Sequence, residues 1–97
     1  MAFTREKVLD ALISVLYEIQ KDVTEQPERI TEETVPTGDL CDFDSLTSVD
    51  ATVRVLVSLG FETEEFPSYP SIFVRKHQAL TVAQVVDRIL KLNSKRN

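Results

Sequence analysis

Three segments of the 97-residue sequence repeat apolar residues every three or four positions. This spacing places the apolar side chains on one face of an α-helix. Helices with one apolar face must bury those faces against one another, so the sequence predicts an all-α fold, a small helical bundle. The first helix is predicted from about residue 4 to 22. Its apolar face consists of Val8, Leu12, Val15 and Ile19, widened by Ala11 and Leu16.

The second helix is predicted from about residue 44 to 59. Asp44 suits its N-terminal cap, and Gly60 follows where glycine commonly ends a helix. The β-branched residues of this segment would also suit a strand, but the run is longer than a typical strand and the helical spacing persists. Its apolar face consists of Leu46, Val49, Val53 and Leu56.

The last helix is predicted from about residue 81 to 93, with Thr81 as its N-cap. Pro67 and Pro70 interrupt the segment before it, and residues 71–77 are predicted as a short third helix. The expected architecture is therefore a four-helix bundle with three longer helices and one short helix.

A long link, residues 23 to 43, joins the first two helices. Prolines and a Thr37-Gly38-Asp39 turn signal interrupt it, and no periodicity persists. Loops of this length in a small domain are uncommon and are often functional. Three isolated apolar residues are expected to pin the link against the core: Ile30, Val35 and Leu40.

Length and composition narrow the class of protein. A chain of 97 residues predicts one domain over residues 1–97, and 42% hydrophobic with 28% charged residues is ordinary for a globular domain. The net charge of −5 argues against nucleic-acid binding. The single cysteine, Cys41, excludes a disulfide within the chain, and no apolar run is long enough to predict stable membrane insertion. We therefore expect a cytoplasmic protein.

The charges are distributed unevenly along the chain. Residues 22–44 contain eight acids and one base, whereas residues 88–97 contain four bases and no acid. The basic residues suit the negative end of the last helix dipole. The acidic link suits partners that carry basic patches.

The chemistry of Ser45 follows from its place at the start of the second helix. A hydroxyl there is exposed, and the neighbouring backbone amides favour anionic groups such as phosphate. A serine hydrolase would need a base beside Ser45, and His77 is the sole histidine. The residues also allow a simpler interpretation, in which Ser45 only caps the helix.

The run Asp44-Ser45-Leu46, followed by Thr47-Ser48-Val49-Asp50, resembles the phosphopantetheine attachment site of acyl carrier proteins. The similarity covers most of the chain, because the helix order, the long acidic loop and Thr81-Val82 at the last helix also match. The resemblance implies a four-helix bundle of the acyl-carrier type. It also implies that a phosphopantetheinyl transferase attaches 4′-phosphopantetheine from coenzyme A to Ser45, and that the arm holds acyl groups as thioesters.

The resemblance further implies a monomeric carrier that is not an enzyme, with no catalytic or metal-binding residues. Its partners would be acyl-loading and acyl-using enzymes such as synthases or acyltransferases. The residues expected in partner docking are Asp44, Leu46, Asp50 and Arg54. The candidates for an acyl pocket are Val49, Val53 and Phe73.

The sequence departs from the family pattern in three places. Asp42 stands where members usually have glycine, the second helix carries fewer acids, and the stretch from residue 61 to 80 is longer. These departures indicate a specialised carrier of a lipid, polyketide or cell-envelope pathway. Two alternatives stay open: an interaction module with the carrier fold but no prosthetic group, and a peptidyl or aryl carrier of a nonribosomal pathway.

Overall fold

A computed structural model describes residues 3–95. Within this range the chain forms four α-helices, three of them long, and one two-stranded antiparallel sheet. The helices are α1 Arg5–Val23, α2 Pro36–Asp39, α3 Ser45–Ser58 and α4 Val82–Ser94. A 3₁₀ turn at Thr63–Glu65 and the strands β1 Val74–Arg75 and β2 Gln78–Ala79 lie between α3 and α4. The mostly helical class is confirmed, and the small sheet is an addition to it.

The core forms where α1 packs against both α3 and α4. The apolar positions that predicted α1 are mostly buried, with Val8, Leu12 and Leu16 completely inaccessible. Burying one such side chain contributes about 1.5–3 kcal/mol. The fully buried residues of the other two helices are Ala51, Val55, Leu56, Val82, Val85, Val86 and Ile89. The apolar face predicted for α3 is mostly wrong: Leu56 is buried, but Leu46, Val49 and Val53 are exposed, because α3 buries the side that carries Ala51 and Val55.

The link between α1 and α3 packs against the core through isolated apolar residues. The prediction is confirmed for Ile30 and Leu40, which are both buried. Phe43, directly before α3, is buried as well. Val35 is only half-buried and precedes α2, the short helix. The short helix of the fold thus lies within this link.

The link also caps the last helix. The backbone N–H of Val82 donates to the carbonyl of Thr34 at 2.8 Å, and that of Ala83 donates to the carbonyl of Glu32 at 3.0 Å. The side chain of Thr81 accepts from the backbone of Gln84, as expected of an N-cap. The first N–H groups of α4, which have no partner within the helix, are therefore satisfied.

The predicted short helix at residues 71–77 is wrong, because this segment enters a β-hairpin. Val74 pairs with Ala79 and Arg75 with Gln78, which leaves a two-residue turn. The turn residues Lys76 and His77 have φ of 50° and 67°, whereas a helix needs negative φ throughout. Two positive φ values in a two-residue turn are the geometry of a type I′ turn.

This turn geometry generates a stability prediction. Asn-Gly is the preferred pair in type I′ turns, and an ordinary residue in the left-handed region costs roughly 1–2 kcal/mol. We expect Lys76→Asn with His77→Gly to raise the free energy of unfolding by about 1–2 kcal/mol in urea titrations. The control, Lys76→Gln with His77→Gln, changes the same side chains without relieving the backbone and should give no gain. A loss of stability in the Asn-Gly variant would contradict the hairpin.

Candidate functional site

Ser45 is the first residue of α3, and its side chain is exposed. The cap of this helix is Asp44, whose carboxylate accepts a hydrogen bond from the backbone N–H of Thr47 at 2.9 Å. Among residues 3–95 the Ser45 hydroxyl has no hydrogen-bond partner, while its carbonyl accepts from the Ser48 hydroxyl at 2.9 Å. The capping interpretation of Ser45 is therefore wrong, and its hydroxyl is free for other chemistry.

Asp44 keeps a negative charge beside this hydroxyl. The hydrogen bond from the backbone N–H of Thr47 holds the pKa of Asp44 below its ordinary value. The positive end of the α3 dipole favours the same ionised form. Because the pKa is lowered on folding, this carboxylate stabilises the fold above its unfolded-state pKa, and the contribution is lost as the pH falls through the folded value.

Gln20 fixes the loop in front of Ser45. Its amide nitrogen donates to the carbonyl of Cys41 at 2.7 Å, and its amide oxygen accepts from the N–H of Cys41 at 2.9 Å. Only 2% of Gln20 is exposed. Sequence reasoning missed this role, although Gln20 follows Leu16 by four positions and therefore lies on the apolar face of α1.

Asp42 adopts a backbone conformation that glycine takes most easily, with φ of 54°. Aspartate is one of the few other residues that visit this left-handed region routinely. The carbonyl of Asp42 accepts from the N–H of Asp44 at 3.0 Å and from the hydroxyl of Thr47 at 3.3 Å. Asp42, at the position where the sequence resemblance would have glycine, thus adopts a backbone conformation that suits glycine.

A groove of about 390 Å³ opens beside Ser45. This volume lies within the roughly 300–1,000 Å³ range of small-molecule sites, and the lining is mostly apolar. One wall belongs to α3 and the other to the segment before and within β1. We call it the Ser45 groove; its lining residues are Thr37, Phe43, Asp44, Ser45, Ser48, Val49, Pro70, Ser71 and Val74.

Two polar side chains hold the second wall of the Ser45 groove in place. The Thr52 hydroxyl is buried, accepts from the N–H of Ile72 at 3.0 Å and donates to the carbonyl of Ser48 at 2.8 Å. From the other side, the Arg88 guanidinium donates to the carbonyls of Ser71 at 3.3 Å and Val74 at 2.8 Å. Sequence reasoning missed Thr52 because the apolar face predicted for α3 runs through Leu46, Val49 and Val53, whereas the buried side carries Thr52. It missed Arg88 because its partners, Ser71 and Val74, are distant in sequence.

The three acyl-pocket candidates occupy different places. Val49 lines the Ser45 groove, whereas Val53 does not and is 42% exposed on the outer side of α3. Phe73 is completely buried and packs edge-on against Phe43, with ring centroids 5.2 Å apart. Val74, the first residue of β1, lines the groove instead of Phe73.

The four docking candidates, Asp44, Leu46, Asp50 and Arg54, are all exposed, and two of them form an ion pair. Asp50 and Arg54 bind each other at 3.0 Å, so their charges offset one another. Leu46 is 80% exposed. We call the exposed apolar residues along this helix the outer stripe of α3; they are Leu46, Val49, Val53 and Val57.

Several other features bear on the chemistry of this region. His77 is exposed at the hairpin turn and does not line the Ser45 groove.

In residues 3–95 no group of three or more His, Cys, Asp or Glu side chains is arranged to hold a metal ion. No helix in the same range is long and apolar enough to cross a membrane. The arrangement thus offers an accessible hydroxyl beside an apolar groove.

The buried amide of Gln20 generates a second prediction. Gln20→Leu would leave the N–H and the carbonyl of Cys41 without their side-chain partner. Because an unsatisfied buried polar group costs about 1–3 kcal/mol, we expect the free energy of unfolding, measured by urea titration, to decrease by about that amount. Gln26→Leu, at an exposed position, is the matched control and should change stability by less than about 0.5 kcal/mol. Equal effects of the two substitutions would refute the role of Gln20.

Comparisons of the chain with protein-family models, with curated proteins and with solved structures found no significant match.

Proposed function

We propose that this protein is an acyl carrier, with 4′-phosphopantetheine attached covalently to Ser45. The observation that carries the proposal is the free, exposed Ser45 hydroxyl at the mouth of an apolar groove, with capping of α3 left to Asp44. When bound, the group supplies a thiol on a long arm that holds acyl groups as thioesters. The rest of the protein serves to position Ser45 and to receive what the arm carries.

The residues around Ser45 fit such a group. The attachment point lies at the N-terminus of α3, a helix of 14 residues, where the helix dipole favours the phosphate of the arm. Gln20 and Asp44 hold the backbone on either side of the loop that leads to Ser45, so the attachment point has a defined position. A transferase therefore meets the start of a hydrogen-bonded helix.

The Ser45 groove suits an apolar chain. Val49 and Val74 line its opposite walls, and Phe43 adds an aromatic surface. Each CH₂ group moved from water into such an environment contributes about 0.8 kcal/mol. Because the groove is open to solvent, a bound chain can leave again when a partner enzyme takes up the arm.

The outer stripe of α3 suits brief contacts with partner enzymes. Any enzyme that reaches Ser45 approaches the same end of α3, where Leu46 presents its side chain to solvent. The Asp50–Arg54 ion pair leaves little net charge on this face. We propose that apolar contacts dominate docking here, which agrees with a carrier of a specialised pathway that has dedicated partners.

The test is intact-mass analysis after incubation with a broad-specificity phosphopantetheinyl transferase and coenzyme A. We expect the mass to increase by one phosphopantetheine in the wild type and in Ser58→Ala, a control on the same helix. Ser45→Ala should stay unmodified, because it lacks the acceptor oxygen. An unmodified wild type, or a modified Ser45→Ala variant, would overturn the proposal.

The outer stripe also favours a second candidate function, an interaction module that uses the carrier fold without a prosthetic group. Exposed apolar patches commonly mark protein contacts, and this one does not need Ser45. The two functions differ in which substitution matters in cells. A carrier loses function in Ser45→Ala, whereas an interaction module tolerates Ser45→Ala and loses function in Leu46→Gln.

A further inference from the structure

Basic side chains from the hairpin and from α4 converge on the side of the hairpin away from Ser45. Val74 faces the Ser45 groove, and Arg75, the next residue, faces a second cavity of about 260 Å³ against α4. We call this cavity the basic groove. Its lining residues are Tyr69, Arg75, Arg88, Lys91, Leu92 and Lys95.

The basic groove has four cations and no carboxylate in its lining. Arg75, Lys91 and Lys95 form no ion pair with any residue between 3 and 95. Asp87, in the adjacent cavity, is held by the guanidinium of Arg5 at 2.7 Å. Within residues 3–95 this positive charge therefore has no ion-pair partner, although the net charge of the sequence is −5.

The guanidinium of Arg88, in the basic groove, is held in place by contacts within the chain. Arg88 donates to the carbonyls of Ser71 and Val74, and its guanidinium carbon lies 3.8 Å from the centre of the Tyr69 ring. Stacking and hydrogen bonding of this kind hold a guanidinium in one orientation. A charge that is already ordered loses less entropy on binding than a free side chain does.

The arrangement of the cations indicates an extended ligand. Arg88, Lys91 and Lys95 follow one another at spacings of three and four along α4, which places them on one face over about 10 Å. That distance matches about three residues of extended peptide. Tyr69 and Leu92 add apolar surface beside the charges. A flat anionic lipid surface does not enter such a concavity, and a single phosphate does not span it.

We propose that the basic groove docks an acidic segment of a partner protein that also carries an apolar side chain. Carboxylates of the segment pair with Arg75, Lys91 and Lys95, and its apolar residue packs on Tyr69 and Leu92. This surface lies across the hairpin from the Ser45 groove, so a partner can bind here while Ser45 stays accessible. The proposal goes beyond the carrier role and does not rest on it.

The experiment is an NMR titration of ¹⁵N-labelled protein with a soluble peptide of Glu-Glu-Leu repeats at low salt. We expect shift changes in the backbone amides of Arg75, Arg88, Lys91 and Lys95. In Arg75→Gln with Lys91→Gln the affinity should fall by about tenfold or more, because two charge contacts are lost. The control, Lys21→Gln with Arg29→Gln, removes the same net charge at exposed positions outside the groove and should leave the affinity unchanged.

Three results would overturn the proposal: no binding of the peptide at low salt, equal affinity in both double variants, or shift changes confined to other surfaces. Pyrophosphate and phosphatidylserine vesicles are titrated in parallel, and stronger binding of either at the same residues would also overturn it. Arg88 is left intact because it holds the hairpin, and unfolding curves confirm that each variant is folded. Unchanged peptide binding in Ser45→Ala, which we expect, separates this surface from the carrier function.

Discussion

The hydrogen bond from the Thr47 N–H to the Asp44 carboxylate determines what Ser45 can do. A helix start must satisfy its free N–H groups, and serine is among the residues that commonly do so. Because Asp44 takes this task, the neighbouring hydroxyl has no partner within the described part of the chain. The side-chain amide of Gln20, on α1, forms two hydrogen bonds with the backbone of Cys41 and so holds the loop before Ser45. Ser45 is available for modification because Asp44, the adjacent residue, caps the helix.

The chain between residues 70 and 75 connects the core, the Ser45 groove and the basic groove. Phe73 enters the core, Val74 lines the Ser45 groove and Arg75 lines the basic groove. Val74 and Arg75 separate because they are consecutive residues of β1, whose side chains point to opposite faces, whereas Phe73 lies in the turn before the strand. A helix at this position, as the sequence predicted, would not separate adjacent residues in this way. Hydrogen bonds to Thr52 and from Arg88 hold this segment, and the segment contributes a wall to each of the two grooves.

The long helices could be predicted because apolar periodicity is a local signal. The helix predicted at about residues 4 to 22 is observed at Arg5–Val23, and the last helix, predicted at about 81 to 93, is observed at Val82–Ser94. The hairpin could not be predicted, because its turn contains neither glycine nor asparagine. In addition, Arg88, which donates a hydrogen bond to the carbonyl of Val74 in the hairpin, is distant in sequence. A predicted helix alone does not identify the groove residues, since Val49 lines the Ser45 groove and Val53 on the same helix does not. Val74 lines it because of the hairpin.

Tandem mass spectrometry of the protein, purified from the cells that make it, would show directly whether Ser45 carries the prosthetic group. Trypsin cuts after Arg29 and Arg54 and releases residues 30–54, which contain Ser45, as one peptide. We expect a substantial fraction of this peptide to carry 4′-phosphopantetheine on Ser45, with or without an acyl group on the arm. Recovery of the peptide with Ser45 unmodified in every preparation would show that the protein is not an acyl carrier.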